Sequence, residues 1–516
     1  TYTGQFGENF TTKAMYGINR SRALVSSPAD GLCSQVLIDN ASYGAVYSGM
    51  GQPPVSCHPL AATSVVDHHD EREVGRLDFE WSLGDHLLRF GLDHEVMTTE
   101  RTTFYPGPEQ SRYTVYGRTS PTQVLGNDAL LPAGVDAFVM GRRRIDGGLF
   151  ETTASAWYIE DVWSITPSLL LNLGVRVDAF NNKTAAGGSF IKMDDLVSPR
   201  LGFSWDMKGD GSTKLYGNAG RYYLPVTNNI NYTFAGGLTD EYTYYQLGGW
   251  SAATNPITGT SYMAPVLGPQ IGPVDDDMNI SVGDLRQSVD RDLDAVFQDE
   301  FILGFQSMIN QAWSWGVNGT YRKMERALDD VRINALCGVR HGTLFPIANP
   351  GDELTLWGTT AMGCAQDGWV TIDTSKEGYI TVGSNRIIGY SEPRRTYKAV
   401  EFQIDRAWDD KWAFNASYLW SKSEGNHEGP VNSDTNYGDT GMVQHWDHPA
   451  NNERYGDLFN DHRHQIKLRG SYKLNEMWSF GGTGWLCVQN CAGPYANRIY
   501  EFSERGAFGR LPWIYN

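Results

Sequence analysis

The chain has 516 residues, with 60 acidic against 42 basic side chains and a formal charge of −18. That balance argues against the basic face of a nucleic-acid-binding protein, and no run approaches the ~18–20 apolar residues of a transmembrane helix. What stands out is 57 Gly alongside 16 Trp, 27 Tyr and 21 Phe, a mixture suited to a turn-rich β-protein or to a transmembrane β-barrel, whose alternating strands escape a hydropathy average. A prior of roughly 150 residues per domain would give about three domains, but the pattern below reads as one. The opening residues show no basic n-region or apolar h-region and do not begin with Met, which reads as a mature chain or a fragment.

Strict apolar/polar alternation marks strands with two unlike faces. Leu88, Phe90 and Leu92 share one face, with Arg89, Asp93 and Glu95 on the other. Leu169, Leu171, Leu173, Val175 and Val177 oppose Asn172, Gly174, Arg176 and Asp178. Next come Leu201, Phe203 and Trp205 against Arg200, Ser204 and Asp206, then Trp313, Trp315, Val317 and Tyr321 against Ser314, Asn318, Thr320 and Arg322. Val400, Phe402 and Ile404 oppose Glu401, Gln403 and Asp405; Trp412, Phe414, Ala416 and Tyr418 oppose Asn415, Ser417 and Ser421.

A soluble sandwich also alternates, so the connections decide. One set is short: Leu83–Asp85, Thr166–Ser168, Lys208–Ser212, Met308–Ala312, Trp408–Lys411 and Lys473–Glu476. The other set is long and polar, near 21–71, 100–148, 181–197, 225–293, 325–395, 424–461 and 488–509. Short and long alternate along the chain, as tight periplasmic turns and long extracellular loops do in outer-membrane barrels. Trp81, Trp163, Trp205, Trp313, Trp315, Trp408, Trp412 and Trp478 all fall near a short turn, where an interfacial aromatic girdle belongs.

The expected fold is therefore all-β, a transmembrane antiparallel barrel. An upward strand at 9–20, a pair around each short turn and a last strand from Arg510 make about fourteen. Tyr2–Asn9 reads as the end of an earlier strand and its turn. Open edges cannot satisfy their backbone in lipid, so residues 1–516 are expected to be part of a larger barrel.

Several stretches carry a family resemblance: Asp206–Val226, Gln298–Gln306, Ala156–Asp161 with Leu173–Asp178, and Phe508–Tyr515. Their order is similar to that in TonB-dependent outer-membrane transporters, specifically the Oar-like branch. The resemblance implies twenty-two strands, an N-terminal plug and energy coupling through an inner-membrane TonB system. The plug, the TonB-contacting segment, the early strands and the closing strands have no counterpart in these residues.

All six cysteines, Cys33, Cys57, Cys337, Cys364, Cys487 and Cys491, lie in or beside long connections. Six allow fifteen pairings, and shared connections favour Cys33–Cys57, Cys337–Cys364 and Cys487–Cys491 as disulfides, with a metal knuckle the alternative for the last pair. His68-His69, His445 with His448, and His462 with His464 match no known metal spacing, and Asp275–Asp277 and Asp290–Asp294 match no EF-hand. No nucleophile–base arrangement appears, so neither a catalytic residue nor a cofactor is expected. Arg89, Asp93, Arg176, Asp178, Glu401 and Asp405 are expected to face the lumen. Leu88, Phe90, Leu92, Leu171, Leu173, Phe402, Ile404, Phe414 and Tyr418 should face lipid, since a charge at the bilayer midplane costs about 2–4 kcal/mol in such walls. The loop aromatics Tyr242, Tyr244, Tyr245 and Trp250 are expected to pack their loop rather than hold a ligand. Active transport of an unidentified extracellular substrate leads, with a passive porin or adhesin barrel as the alternative. A secreted β-rich hydrolase would need a constellation that the sequence lacks.

Overall fold

The structure, a computed structural model, describes residues 1–51, 58, 65–226, 228, 230–231, 235–236, 238–276, 284–331, 333–339, 344–376, 381–382, 386–387, 389–427, 455–458 and 461–488. Among the described residues, fourteen strands form the wall. They are β1 (Tyr2–Phe6), β2 (Phe10–Val25), β3 (Val65–Leu83), β4 (His86–Phe104), β5 (Ala137–Thr166), β6 (Leu169–Lys183) and β7 (Ser189–Asp206), followed by β8 (Thr213–Tyr223), β9 (Phe297–Met308), β10 (Trp313–Glu325), β11 (Arg395–Arg406), β12 (Trp412–Gly425), β13 (His464–Lys473) and β14 (Ser479–Val488). Each pairs antiparallel with the next, an uninterrupted meander from β1 to β14. Among the described residues β1 pairs only with β2 and β14 only with β13. Tyr2–Phe6 is thus a wall strand in its own right, while 510–516, the strand expected last, lies outside the described residues.

The short connections are built by side chains that cap their own turn. Asp206 accepts from the backbone N–H groups of Gly209 at 3.0 Å and Gly211 at 2.7 Å, and both glycines sit at positive φ, 73° and 75°. Asn310 accepts from Ala312 and Trp313, Asp409 from Lys411 and Trp412, and Asn475 from Met477 and Trp478. These are Asx turns, in which a short polar side chain replaces a backbone acceptor. Each reverses the chain without a long loop.

At the other end the strands outrun their expected limits. The connection expected over 181–197 is corrected: only 184–188 lies between β6 and β7. The two strands continue upward through register shifts after Asp178 and Asn182. Ile191 and Met193 are buried there against Phe150, so the simple one-sided alternation that marks the lower wall disappears. The long connection 21–71 likewise shrinks to 26–64, because β2 runs to Val25 and β3 begins at Val65.

The remaining long connections fold into a cap with its own cores. Strand β5 is 30 residues long, and its upper part extends the same sheet beyond the wall with new partners. There it pairs with Ser111–Gly117 on one side and Leu238–Thr254 on the other. Gln35–Ile38 adds in parallel to Ser111–Gly117, and Ser261–Gln270 pairs with Leu238–Thr254. Gly147, at φ 134°, makes the exit possible: a Cβ there would sit 1.9 Å from the Arg101 carbonyl oxygen. The described residues of the connection 326–394 form a lobe around Val331, Ile333, Leu336, Leu354, Leu356, Ile372 and Tyr390.

Candidate functional site: the polar face and the folded cap

Cross-strand register decides which side chains share a face. Partners opposite each other project to the same side, so the pairings from β3 to β14 propagate one assignment around the wall. Leu92 faces Trp157, Leu173 faces Leu201, Leu303 faces Gly217 and Gly319, and Phe402 faces Val317 and Tyr418. Trp81, Trp163, Trp205 and Trp315 fall on this same apolar face, near the short turns, and each is at least 37% exposed. A groove of about 720 Å³ runs along it, lined by Leu171, Leu173, Leu201, Phe203, Phe301 and Leu303 among others.

The other face is polar, and all six wall residues singled out from the sequence lie on it. Arg176 meets Asp178 at 2.8 Å and Asp93 at 3.5 Å. Arg89 approaches Glu80 at 3.8 Å. Further round, Glu401 accepts from Asn318 at 3.3 Å and Asp405 from Asn415 at 2.5 Å. The structure thus brings Asp93, Arg176 and Asp178 together and leaves Glu401 and Asp405 in separate pairs. Sequence reasoning missed several partners on this face. Arg72 holds Glu95 through two bonds of 2.6 Å. Arg76 pairs with Asp78 at 2.9 Å, and Asp78 also accepts from the Tyr158 hydroxyl at 2.6 Å. Arg72, Asp93, Glu95, Arg176, Asp178, Arg200 and Tyr222 line a cleft of about 490 Å³. A bidentate guanidinium–carboxylate pair fixes both planes, so this stretch of wall presents a fixed pattern of charge.

Above the charged pairs the same face is covered and, Asp70 apart, is lined by hydroxyl and amide groups. The described residues of the connection after β8 (226, 228, 230–231 and 235–236) pack over it, held by a chain of side-chain bonds. Thr99 donates to Asp70 at 2.9 Å, and Asn228 donates to Thr99 at 3.2 Å. Thr152 donates to Asn228 at 2.5 Å, and Asn231 donates to Thr152 at 3.3 Å. Asn182 then donates to Asn231 at 3.0 Å and to the Val226 carbonyl at 3.2 Å. Thr152, Asn182 and Asn231 are fully buried. Beside them Val226, Ile230 and Ala235 pack on Phe150, Phe190 and Ile191. Asp70 also accepts from His68 at 2.8 Å. The paired His68-His69, which match no metal spacing in the sequence, each take a carboxylate partner here: His68 joins Asp70, and His69 joins Asp67 at 3.1 Å.

This wall has recognisable relatives. The family described as "TonB dependent receptor-like, beta-barrel" matches residues 6–264, and the family "Outer membrane beta barrel domain" matches residues 181–486. The chain belongs to the TonB-dependent receptor-like β-barrel family. It is an outer-membrane protein. A curated relative, the TonB-dependent transporter Oar of Myxococcus xanthus, is 24% identical over 463 residues, which is 84% of this chain and 39% of the relative. The chain thus spans well under half the length of that relative. Among solved structures, the outer membrane transporter YddB from Escherichia coli aligns over 91% of this chain and 47% of its own, at 10% identity and TM-score 0.43. The Pseudomonas aeruginosa receptor FpvA, solved bound to pyoverdines, aligns over 94% and 44%, also at 10% identity and TM-score 0.43.

In this family member the remaining candidates have structural places. Cys337 and Cys364 form a disulfide within the 326–394 lobe, with their Cα atoms 5.2 Å apart. Cys33 is disulfide-bonded; Cys57 and Cys491 lie outside the described residues, and Cys487 sits near the end of β14. Tyr244 is buried with Leu125, Leu131, Phe138 and Ile271, and Trp250 lies against Tyr43 and Tyr47, so these aromatics do pack the cap. Asp290 is buried and accepts from the backbone of Thr355 and Asp292. Burial raises its carboxyl above the usual range despite those bonds. Asp292 pairs with Arg291, and Asp294 with Arg326. The acidic run is therefore scaffold. Asp277, His445 and His448 lie outside the described residues. Among the described residues no group of three or more His, Cys, Asp or Glu is placed to hold a metal.

Proposed function

We propose that this chain is the barrel portion of a plugged, TonB-dependent active transporter that takes up a scarce extracellular substrate across the outer membrane, with no catalytic role of its own. The observation that carries the reading is the two-faced meander. One face is apolar with tryptophans at the short-turn rim, which suits lipid; the other is charged and partly covered by Val226, Asn228, Ile230, Asn231 and Ala235, which suits a lumen. On this reading Arg89, Asp93, Arg176, Asp178, Glu401 and Asp405 line the lumen and contact a plug supplied by the rest of the protein. Among the described residues no strand pairs with the outer edge of β1, and a bare edge in lipid costs several kcal/mol per orphan backbone group, which supports further wall strands beyond those described. A wall wider than fourteen strands leaves a lumen that side chains cannot fill. Something must occupy it, and force on that occupant from the TonB system would then admit substrate.

Conductance of the full-length protein in planar bilayers tests this against a passive porin. The transporter should be silent when intact and open a large pore once the segment preceding the barrel is removed. A steady open conductance from the intact protein would favour the porin.

A further inference from the structure

Two parts of the cap meet on one hairpin of the 326–394 lobe. Glu353–Gly358 pairs with Gly368–Asp373, placing Trp357 opposite Trp369. Leu354, Leu356 and Ile372 turn into the lobe's core, so strand alternation puts both tryptophans on the opposite side. Their rings meet edge to face, centroids 5.5 Å apart at 87°. From the segment before β9, the Arg286 guanidinium stands 4.0 Å from the Trp357 ring centroid, and that of Arg291 stands 5.2 Å from the Trp369 centroid. The result is a row: Arg286, Trp357, Trp369, Arg291. Each arginine has its own carboxylate beside it, Asp284 for Arg286 and Asp292 for Arg291.

Cation–π contacts of this kind can simply fasten a loop to a hairpin. Part of the row does so, since Gln287 also donates to the Trp357 carbonyl and Arg291 N–H to the Thr355 carbonyl. Trp369 goes further than that role needs. It remains 42% exposed, and the side chains of Arg291 and Asp292 beside it are 50% and 59% exposed. Thr371 and Asp367 are exposed at the same end of the hairpin. The lobe already has a closed core and the Cys337–Cys364 bridge, so an open indole adds little to its stability.

We infer that this row is a binding site for a neutral carbohydrate. The part of the Trp369 indole that Arg291 leaves uncovered offers an electron-rich surface to the axial C–H groups of a pyranose. The flanking guanidinium and carboxylates supply paired donors and acceptors to its hydroxyls. Because a carboxylate neutralises each arginine, the site lacks the surplus positive charge that an acidic ligand would require. The inference does not depend on what the barrel transports, since a surface site can capture a glycan with or without uptake.

The test is calorimetric titration of the intact protein in detergent micelles with cellohexaose, xylohexaose and maltohexaose, with hexagalacturonate as the acidic comparison. At least one neutral hexasaccharide should bind. Trp369→Ala should weaken that binding at least about tenfold, Trp369→Tyr should retain most of it, and Arg291→Ala should weaken it. Resistance of the lobe to limited proteolysis shows that each variant is folded. Absence of binding by all three neutral sugars, unchanged affinity in folded Trp369→Ala, or binding of hexagalacturonate alone would each overturn the assignment.

Discussion

The face assignment can be tested by placing one arginine on either side of the wall at the same height. Leu303 on β9 is 57% exposed and lies opposite Gly217 and Gly319. Its diagonal neighbours Leu215, Ala219, Val317 and Tyr321 include no carboxylate. The strand ends at Met308, five positions further on. At ~3.3 Å per residue and a ~40° tilt, Leu303 stands about 13 Å above the turn, near the middle of a ~25 Å apolar band. Leu303→Arg should therefore cost about 2–4 kcal/mol. Asn318 lies opposite Gly304, one step along, and faces the polar side. An arginine there meets the Glu401 carboxylate that now accepts from Asn318, and the variant should remain within about 1 kcal/mol of the parent. Equilibrium denaturant unfolding of the full-length protein in phospholipid vesicles measures both. A silent Leu303→Arg beside a costly Asn318→Arg would reverse the two faces and remove the basis for a lumen lined by Asp93 and Arg176.

Three further outcomes follow from the cap. Asn182→Ala removes donors to Asn231 and Val226 and should loosen residues 226–236 by about 1–3 kcal/mol; hydrogen exchange there should quicken while β9 and β10 stay protected, and unchanged exchange counts against the network. Replacing Cys337 and Cys364 by Ser opens a loop of 27-residue separation, which chain entropy values at about 3.5 kcal/mol, so the 326–394 lobe should become protease-sensitive before the wall does. For Asp290 the sign follows from its raised carboxyl: a group more readily protonated when folded contributes most below its unfolded pKa of ~3.9, and that contribution is lost as pH rises through the folded value. Asp290→Asn should therefore gain stability relative to the parent as pH rises above the unfolded carboxyl value, and a difference that does not change with pH would refute this.

The lower wall was legible because lipid and water force opposite choices on successive residues. Leu171, Leu173, Phe402 and Ile404 alternate with Asn172, Arg176, Glu401 and Asp405, and the Asx turns at Asp206, Asn310, Asp409 and Asn475 mark where the chain reverses. Above the membrane that constraint lapses. Residues 65–71 are strand, yet their run of Asp, His and Glu reads as a polar loop. Residues 189–193 are strand with Ile191 and Met193 covered by the cap, and they too read as connection. The parallel pairing of Gln35–Ile38 with Ser111–Gly117 joins segments more than seventy residues apart, which no local pattern announces. The Cys337–Cys364 bridge was legible for the opposite reason, since both cysteines belong to one connection. The mouth network was not, because its threonines and asparagines come from β4, β5, β6 and the 225–236 segment and each alone is an ordinary polar residue.

The division of labour along the polar face bears on how a roof over it could open. Its lower part carries ion pairs such as Arg72–Glu95 and Arg176–Asp178, whose bidentate or clustered geometry resists rearrangement. The contacts that hold residues 226–236 are amide and hydroxyl bonds joining Thr99, Thr152, Asn182, Asn228 and Asn231. Each neutral bond is worth only about 0.5–1.5 kcal/mol net, because water replaces it when the segment lifts. If ion pairs held the roof instead, lifting it would leave opposed charges that favour reclosure at long range. A neutral roof over a charged wall is therefore held firmly enough to exclude water from Phe150 and Ile230, both buried. Bonds of that size can still be released one at a time.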